Sequence, residues 1–172
     1  MDPNSLEVVI MHMMDLTESE ASKARAKADK VSLAAAAKVS DLEQEESPES
    51  IMLSSMTEEG AKDRTDREVV LPWLRFLWET YRAVLELLYK LPKLDRVYHK
   101  ICEKALKFCL DYSRTMEFRR LCDMLRIHLR NMQNSPARPG KLAWEWTSDV
   151  IELHLQTRFY QVHHLHLYIY NM

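Results

Sequence analysis

Leu71-Pro-Trp-Leu-Arg-Phe-Leu-Trp-Glu-Thr-Tyr-Arg-Ala-Val-Leu-Glu-Leu-Leu-Tyr-Lys90 is the stretch on which the fold turns. Leu71, Leu74, Trp78, Tyr81, Leu85, Leu88 and Tyr89 recur at helical steps and form one apolar stripe. Trp73, Phe76, Ala83 and Leu87 form another on the far side, which leaves Arg75, Glu79, Arg82 and Glu86 as a narrow polar strip. The spacing predicts a helix over about 71–90, apolar on two sides and therefore packed between neighbours. Pro72 is expected in its first turn, where a missing N–H costs nothing. Arg75–Glu79 and Arg82–Glu86 pairs along the strip are expected to contribute only about 0.2–0.5 kcal/mol each.

Working outward, Leu91-Pro92 breaks the chain before a third helix over about 93–112, whose core stripe is Leu94, Val97, Tyr98, Ile101, Ala105, Phe108 and Tyr112. A fourth, over about 115–133, places Phe118, Leu121, Cys122, Leu125, Leu129 and Met132 inward, and Asn134-Ser-Pro and Pro139-Gly140 end it. A fifth begins near Thr147 or Ser148 with Val150, Ile151, Leu155 and Phe159. Upstream, Leu6, Val9, Ile10, Met13, Thr17, Ala21, Ala24, Ala28 and Val31 predict a first helix over 5–38, thin in large apolar groups after its midpoint. Short connections between such helices imply antiparallel neighbours. The expected class is all-α, with antiparallel helical hairpins stacked as a solenoid-like (TPR/HEAT-like) array. The two-sided second helix favours this over a closed four-helix bundle. Four segments follow: a long N-terminal helix over 1–39, an acidic, partly disordered connection over 40–69, a helical-repeat segment over 70–161 and an atypical tail over 162–172. Trp73, Phe76, Trp78, Tyr81, Phe108, Phe118 and Leu121 are the expected core. The tail, Val162-His-His-Leu-His-Leu-Tyr-Ile-Tyr-Asn-Met172, alternates like a strand.

With 172 residues, of which 47% are hydrophobic, the chain can build a core, and global disorder is not expected. Gly60 and Gly140 are its two glycines, too few for glycine-rich phosphate loops, dinucleotide-binding fingerprints or nucleophile elbows. No apolar run of about 18 residues indicates a membrane span, and Met-Asp-Pro-Asn does not open a secretory signal. Cys102 and Cys109 lie seven apart on one helix, about 10 Å, too far to bridge. An odd count of three, with no C-x-x-C, fits buried structural thiols in a reducing compartment.

Charge is partitioned. Residues 1–68 carry 8 Lys and Arg against 16 Asp and Glu, whereas residues 90–141 carry 13 against 5. Such an asymmetry suggests two surfaces with different partners, although the halves could also attract each other. Lys100, Lys104, Lys107, Arg119, Arg126 and Arg130 sit at helical spacing and are the candidate contacts for RNA or another acidic partner. Ordinary solvation explains them equally well. Seven histidines, chiefly His154, His163, His164 and His166, lack any zinc-ligand spacing, and no carboxylate stands beside the tail histidines to act as a base. No catalytic, cofactor-binding or metal-binding residues are expected, and no cofactor.

Asp63-Arg-Thr-Asp-Arg67, Pro72-Trp73, Phe76-Leu-Trp-Glu-Thr-Tyr-Arg82, Lys107-Phe-Cys109, Glu117-Phe-Arg-Arg-Leu-Cys122, Leu125-Arg-Ile-His-Leu129 and Glu152-Leu-His-Leu-Gln-Thr-Arg-Phe159 form an ordered series. In order and spacing it resembles the N-terminal region of one family, that of the largest subunit of eukaryotic translation initiation factor three. Asn4-Ser-Leu-Glu-Val-Val9 resembles the segment that precedes this region, so the resemblance covers about residues 4–161. It implies a cytoplasmic, non-catalytic scaffold, a piece of a helical-repeat array leading into a PCI domain. The implied partners are the other initiation factor three subunits and the small ribosomal subunit, with mRNA or rRNA; no membrane and no small-molecule substrate is implied. By the residues alone, the alternative is an independent RNA-binding helical module using the third and fourth helices.

Overall fold

The computed structural model describes residues 2–38, 49, 66–134 and 144–170. Its helices are α1 (Pro3–Lys38), α2 (Leu71–Leu88), α3 (Asp95–Asp111), α4 (Thr115–Gln133) and α5 (Ser148–Tyr170). A wide π-type turn over Asp66–Val70 precedes α2, and a short 3-10 turn over Pro92–Leu94 precedes α3. No strand occurs among the described residues, and the fold class is all-α as the periodicities predict. Most of the acidic connection expected over 40–69 lies outside the described residues.

The chain divides into two compact units, one of Met1–Met11 with Trp78–Met172 and one of His12–Leu77. Within the second of these, α1 buries Met14, Thr17, Ala21, Ala24 and Ala28 at three- and four-residue steps. Met14 takes the inward place expected of Met13, which is exposed, as is Val9. The Thr17 hydroxyl donates to the Met13 carbonyl at 2.7 Å, which satisfies a buried polar group within the helix itself.

In the first unit α3 packs against both α4 and α5. Val97, Ile101, Cys102, Ala105, Leu106 and Cys109 are fully or almost fully buried on it. The turn that folds α4 back onto α3 is a Schellman closure. The Ser113 N–H donates to Leu110 O at 3.0 Å and the Arg114 N–H to Cys109 O at 2.7 Å. Ser113 therefore takes φ 52°, a left-handed conformation that a side chain makes costly and that glycine usually occupies. Tyr81, from the second half of α2, meets Phe108 of α3 at 5.6 Å between ring centroids.

Three expectations need correction. Trp73 and Phe76, expected in the core, are 37% and 56% exposed, and Leu87 shares their exposure. They pack edge-on against each other at 6.1 Å, so the second apolar side of α2 partly covers itself. Trp78, Tyr81, Phe108, Phe118 and Leu121 are all buried. The anticipated Arg82–Glu86 pair is replaced: Arg82 reaches Glu79 at 3.2 Å, while Glu86 is taken by Lys90 at 3.2 Å and His128 at 3.1 Å. A buried imidazole N–H needs an acceptor more than an exposed guanidinium does.

The third correction is α5. It continues helically to Tyr170, through the residues that alternate like a strand. Its buried positions are Thr157, Gln161 and His164, at steps of four and three, whereas Ile151, Leu155, Phe159, Val162 and Leu165 face outward. The helix starts at Ser148, as the sequence places it, but its inward face is polar from Thr157 on, so hydrophobic periodicity does not show that it runs on through the tail.

Candidate functional site

Two kinds of site emerge from the first unit: a basic groove on the surface and two histidine clusters inside. The groove lies between α4 and α5 and has a volume of about 380 Å³. Phe118, Val162 and Leu165 give it apolar wall, and Arg119, Arg126 and Arg158 give it positive charge. Arg119 and Arg126 meet there because they stand two turns apart on one face of α4. Asp123, between them, pairs with Arg126 at 3.2 Å and neutralises part of that charge. Arg158 anchors the α5 side, donating to Gln161 Oε1 at 2.7 Å and to the Leu125 carbonyl at 3.5 Å. Cys122 also lines the groove, and burial pushes its thiol pKa up while Arg158 opposes the shift.

Of the candidate contacts, Arg119 and Arg126 share this groove, whereas Lys100, Lys104, Lys107 and Arg130 do not line it. Lys100 instead approaches Glu7 of α1 at 4.0 Å. Arg158 escapes sequence reading: it lies in the quoted Glu152–Phe159 block, but helical spacing within α4 says nothing of a residue delivered by α5.

The first histidine cluster is closed. The Tyr98 hydroxyl lies 3.2 Å from His128 Nδ1, and His128 Nε2 lies 3.1 Å from Glu86 Oε2. A Tyr O–H donating to Nδ1 and an Nε2–H donating to the carboxylate satisfy every nitrogen of the ring. Tyr89 stacks on the imidazole at 4.2 Å. Burial lowers the His128 pKa against the raising pull of Glu86. For Glu86, burial acts upward, but the hydrogen bonds from His128 and Lys90 bring the net shift down.

The second cluster is open. Asp95 in the first turn of α3, His99 one turn on, and His154 of α5 bring one ligand atom each within 4.8 Å of one another. A carboxylate thus stands beside His154, one of the four histidines singled out in the sequence. It comes from α3, 59 residues away in sequence, and no local spacing encodes it. Burial and the nearby His99 push the His154 pKa down to about 4. Trp146 lies 5.3 Å from the His154 ring and Trp144 6.5 Å. Cys102 and Cys109 are buried and in no disulfide, and burial pushes the Cys109 thiol up to about 12. Among the described residues no helix is long and apolar enough to cross a membrane.

A protein-family model described as "eIF3a, PCI domain, TPR-like region" matches residues 1–167. The A subunit of eukaryotic translation initiation factor 3 from Yarrowia lipolytica is 44% identical over 163 residues, which is 92% of this chain and 17% of the relative. The proteins of the same name from Aspergillus oryzae and Emericella nidulans are each 42% identical over 163 residues, 92% of this chain and 16% of theirs. The chain therefore spans about one-sixth of the length of these relatives.

Proposed function

The chain belongs to the eIF3a family, in its PCI-domain and TPR-like region, and from that premise we propose that it serves translation initiation as a non-catalytic scaffold segment. The observation that carries this reading is identity of 42–44% extending over 92% of the chain. The proposed partners are other initiation factor three subunits and the small ribosomal subunit, with mRNA or rRNA reached through the assembly in the cytoplasm.

Two surfaces support the reading. The outer face of α5 exposes Ile151, Leu155, Phe159, Val162 and Leu165. In a stacked helical array an apolar outer face is where the next helix lies. The arginine groove offers charge beside an apolar wall, which suits an acidic protein surface or a phosphate backbone. Lys100, Lys107 and Arg130, exposed but outside the groove, extend the positive surface along α3 and α4.

Affinity purification of the tagged chain from eukaryotic cells, with and without ribonuclease, tests this. The scaffold reading expects initiation-factor subunits that stay bound after ribonuclease. Recovery of RNA without those subunits would instead favour an independent RNA-binding helical module using α3 and α4.

A further inference from the structure

We propose that Asp95, His99 and His154 form a binding site for one divalent transition-metal ion of the zinc class, which pins α5 to α3. The residues supply two imidazoles and a carboxylate, a donor set suited to zinc with a fourth position open to water. They come from two helices that pack together, so an ion held by them would bridge the packing itself.

The hydrogen bonding around the cluster shows what is missing from it. Asp95 Oδ1 and Oδ2, His99 Nε2 and His154 Nε2 are all buried and have no protein hydrogen-bond partner. The Asp95 and His99 side chains are only 9% and 6% exposed. Buried polar atoms left this way are costly, because each has lost water without gaining a partner. His99 is also oriented from behind. Its Nδ1 lies 2.6 Å from Thr157 Oγ1, and the Thr157 hydroxyl donates its one proton to the Leu153 carbonyl at 3.1 Å. Nδ1 is thereby the protonated nitrogen of the neutral ring, and the Nε2 lone pair points at Asp95. A hydrogen bond of this kind behind a ligand histidine fixes its metal-binding tautomer.

Distances agree with this assignment. His99 Nε2 lies 3.4 Å from Asp95 Oδ1 without hydrogen-bond geometry. Ligand atoms at about 2.0–2.2 Å from a tetrahedral zinc ion lie about 3.3–3.6 Å apart, so this pair is already at coordination spacing. The group spans up to 4.8 Å, and closure on an ion needs an approach of about 1 Å by the widest pair. The His99 and His154 rings meet edge-on at 4.4 Å, and the Trp146 ring lies 5.3 Å from that of His154. A proton shared by His99 and Asp95 would satisfy one contact and leave Asp95 Oδ2 and His154 Nε2 as they are. Among the described residues this is the one group of three side chains with such geometry.

The test uses the purified 172-residue chain, stripped with chelator and titrated with zinc alone, then with cobalt(II) alone. The expected result is one equivalent of bound zinc, visible cobalt d–d absorption of a four-coordinate nitrogen/oxygen site, and a melting temperature raised by zinc. Asp95→Asn, which keeps the side-chain shape, should abolish the cobalt spectrum and the zinc-dependent melting shift. Thr157→Val should weaken zinc binding by about tenfold or more through the lost orientation of His99. A His163→Ala/His166→Ala control should change neither. Wild-type chain that takes up no stoichiometric zinc at micromolar free metal would overturn the proposal. So would binding that survives Asp95→Asn and is lost in the tail control, which would place the ion on exposed histidines. A melting temperature indifferent to zinc in folded wild-type protein would show that the cluster holds only protons or water.

Discussion

Tyr98 and His99 are neighbours on α3, yet they open onto clusters of opposite character. Tyr98 joins His128 and Glu86 in a chain of hydrogen bonds at 3.2 and 3.1 Å in which each imidazole nitrogen has a partner. His99 joins Asp95 and His154 in a group whose four facing atoms have none. Both groups hold one helix against another, and both bury an imidazole. The difference is stoichiometric: the first has a donor for each acceptor, and in the second the two Asp95 oxygens are met by no protein donor. A completed network fixes a core, whereas an incomplete one is a place for a ligand.

The sharpest way to break the comparison is to delete His128. His128→Ala removes a buried ring and leaves the Tyr98 hydroxyl without its acceptor, at an expected cost of about 3 kcal/mol in urea denaturation. A loss below about 1 kcal/mol would mean the closed cluster is not what joins α3 to α4.

Acid is the next largest lever. Burial depresses His154 from an ordinary 6.5 to about 4 and lowers His128 and His164 as well. The unfolded chain then binds more protons than the folded one between those values. Stability of metal-free protein is therefore expected to fall as pH drops from about 6.5 towards 4 through His154, by less than the roughly 1.4 kcal/mol per unit of a fully buried group because solvent reaches the ring, with His128 and His164 acting in the same direction. Denaturation midpoints measured across that window check this. His154→Gln should flatten the slope, and an unchanged slope would exclude His154 as its source.

Smaller substitutions separate the clusters by sign. Tyr98→Phe leaves His128 Nδ1 unpaired and should cost about 1 kcal/mol. Asp95→Asn, in metal-free protein, replaces a buried carboxyl whose oxygens have no hydrogen-bond partner, so it should be neutral or stabilising by about 1 kcal/mol. Equal destabilisation by both would erase the distinction between closed and open. Ser113→Gly, outside both clusters, should raise stability by about 0.5–1 kcal/mol, because it relieves the left-handed φ of the Schellman turn.

The same contrast explains what the sequence made legible. α3 and α4 show plainly because their buried faces are apolar: Val97, Ile101, Leu106, Leu121 and Leu125 recur at helical steps and lie inside. The start of α5 near Ser148 is legible, but its continuation is not, because its inward face is Thr157, Gln161 and His164, and its leucines and phenylalanine point out. Read by hydrophobic alternation, its end mimics a strand. Trp73 and Phe76 mislead the other way, as large apolar groups left exposed. Half of the groove is visible in the sequence, since Arg119 and Arg126 share a face of one helix. Arg158, and the meeting of Asp95 with His154, depend on which helices become neighbours, and spacing within a helix holds no such information.

The central claim is that this segment works through its surface and is held together by its interior. Co-sedimentation of purified small ribosomal subunits with the chain and with its Arg119→Glu/Arg126→Glu variant tests that most directly. The variant is expected to keep its stability within about 0.5 kcal/mol of wild type, because exposed charges contribute little to folding. Its co-sedimentation should be steeply reduced, and wild-type binding should be lost as salt is raised. A folded double variant that sediments with ribosomal subunits as wild type does would contradict the claim.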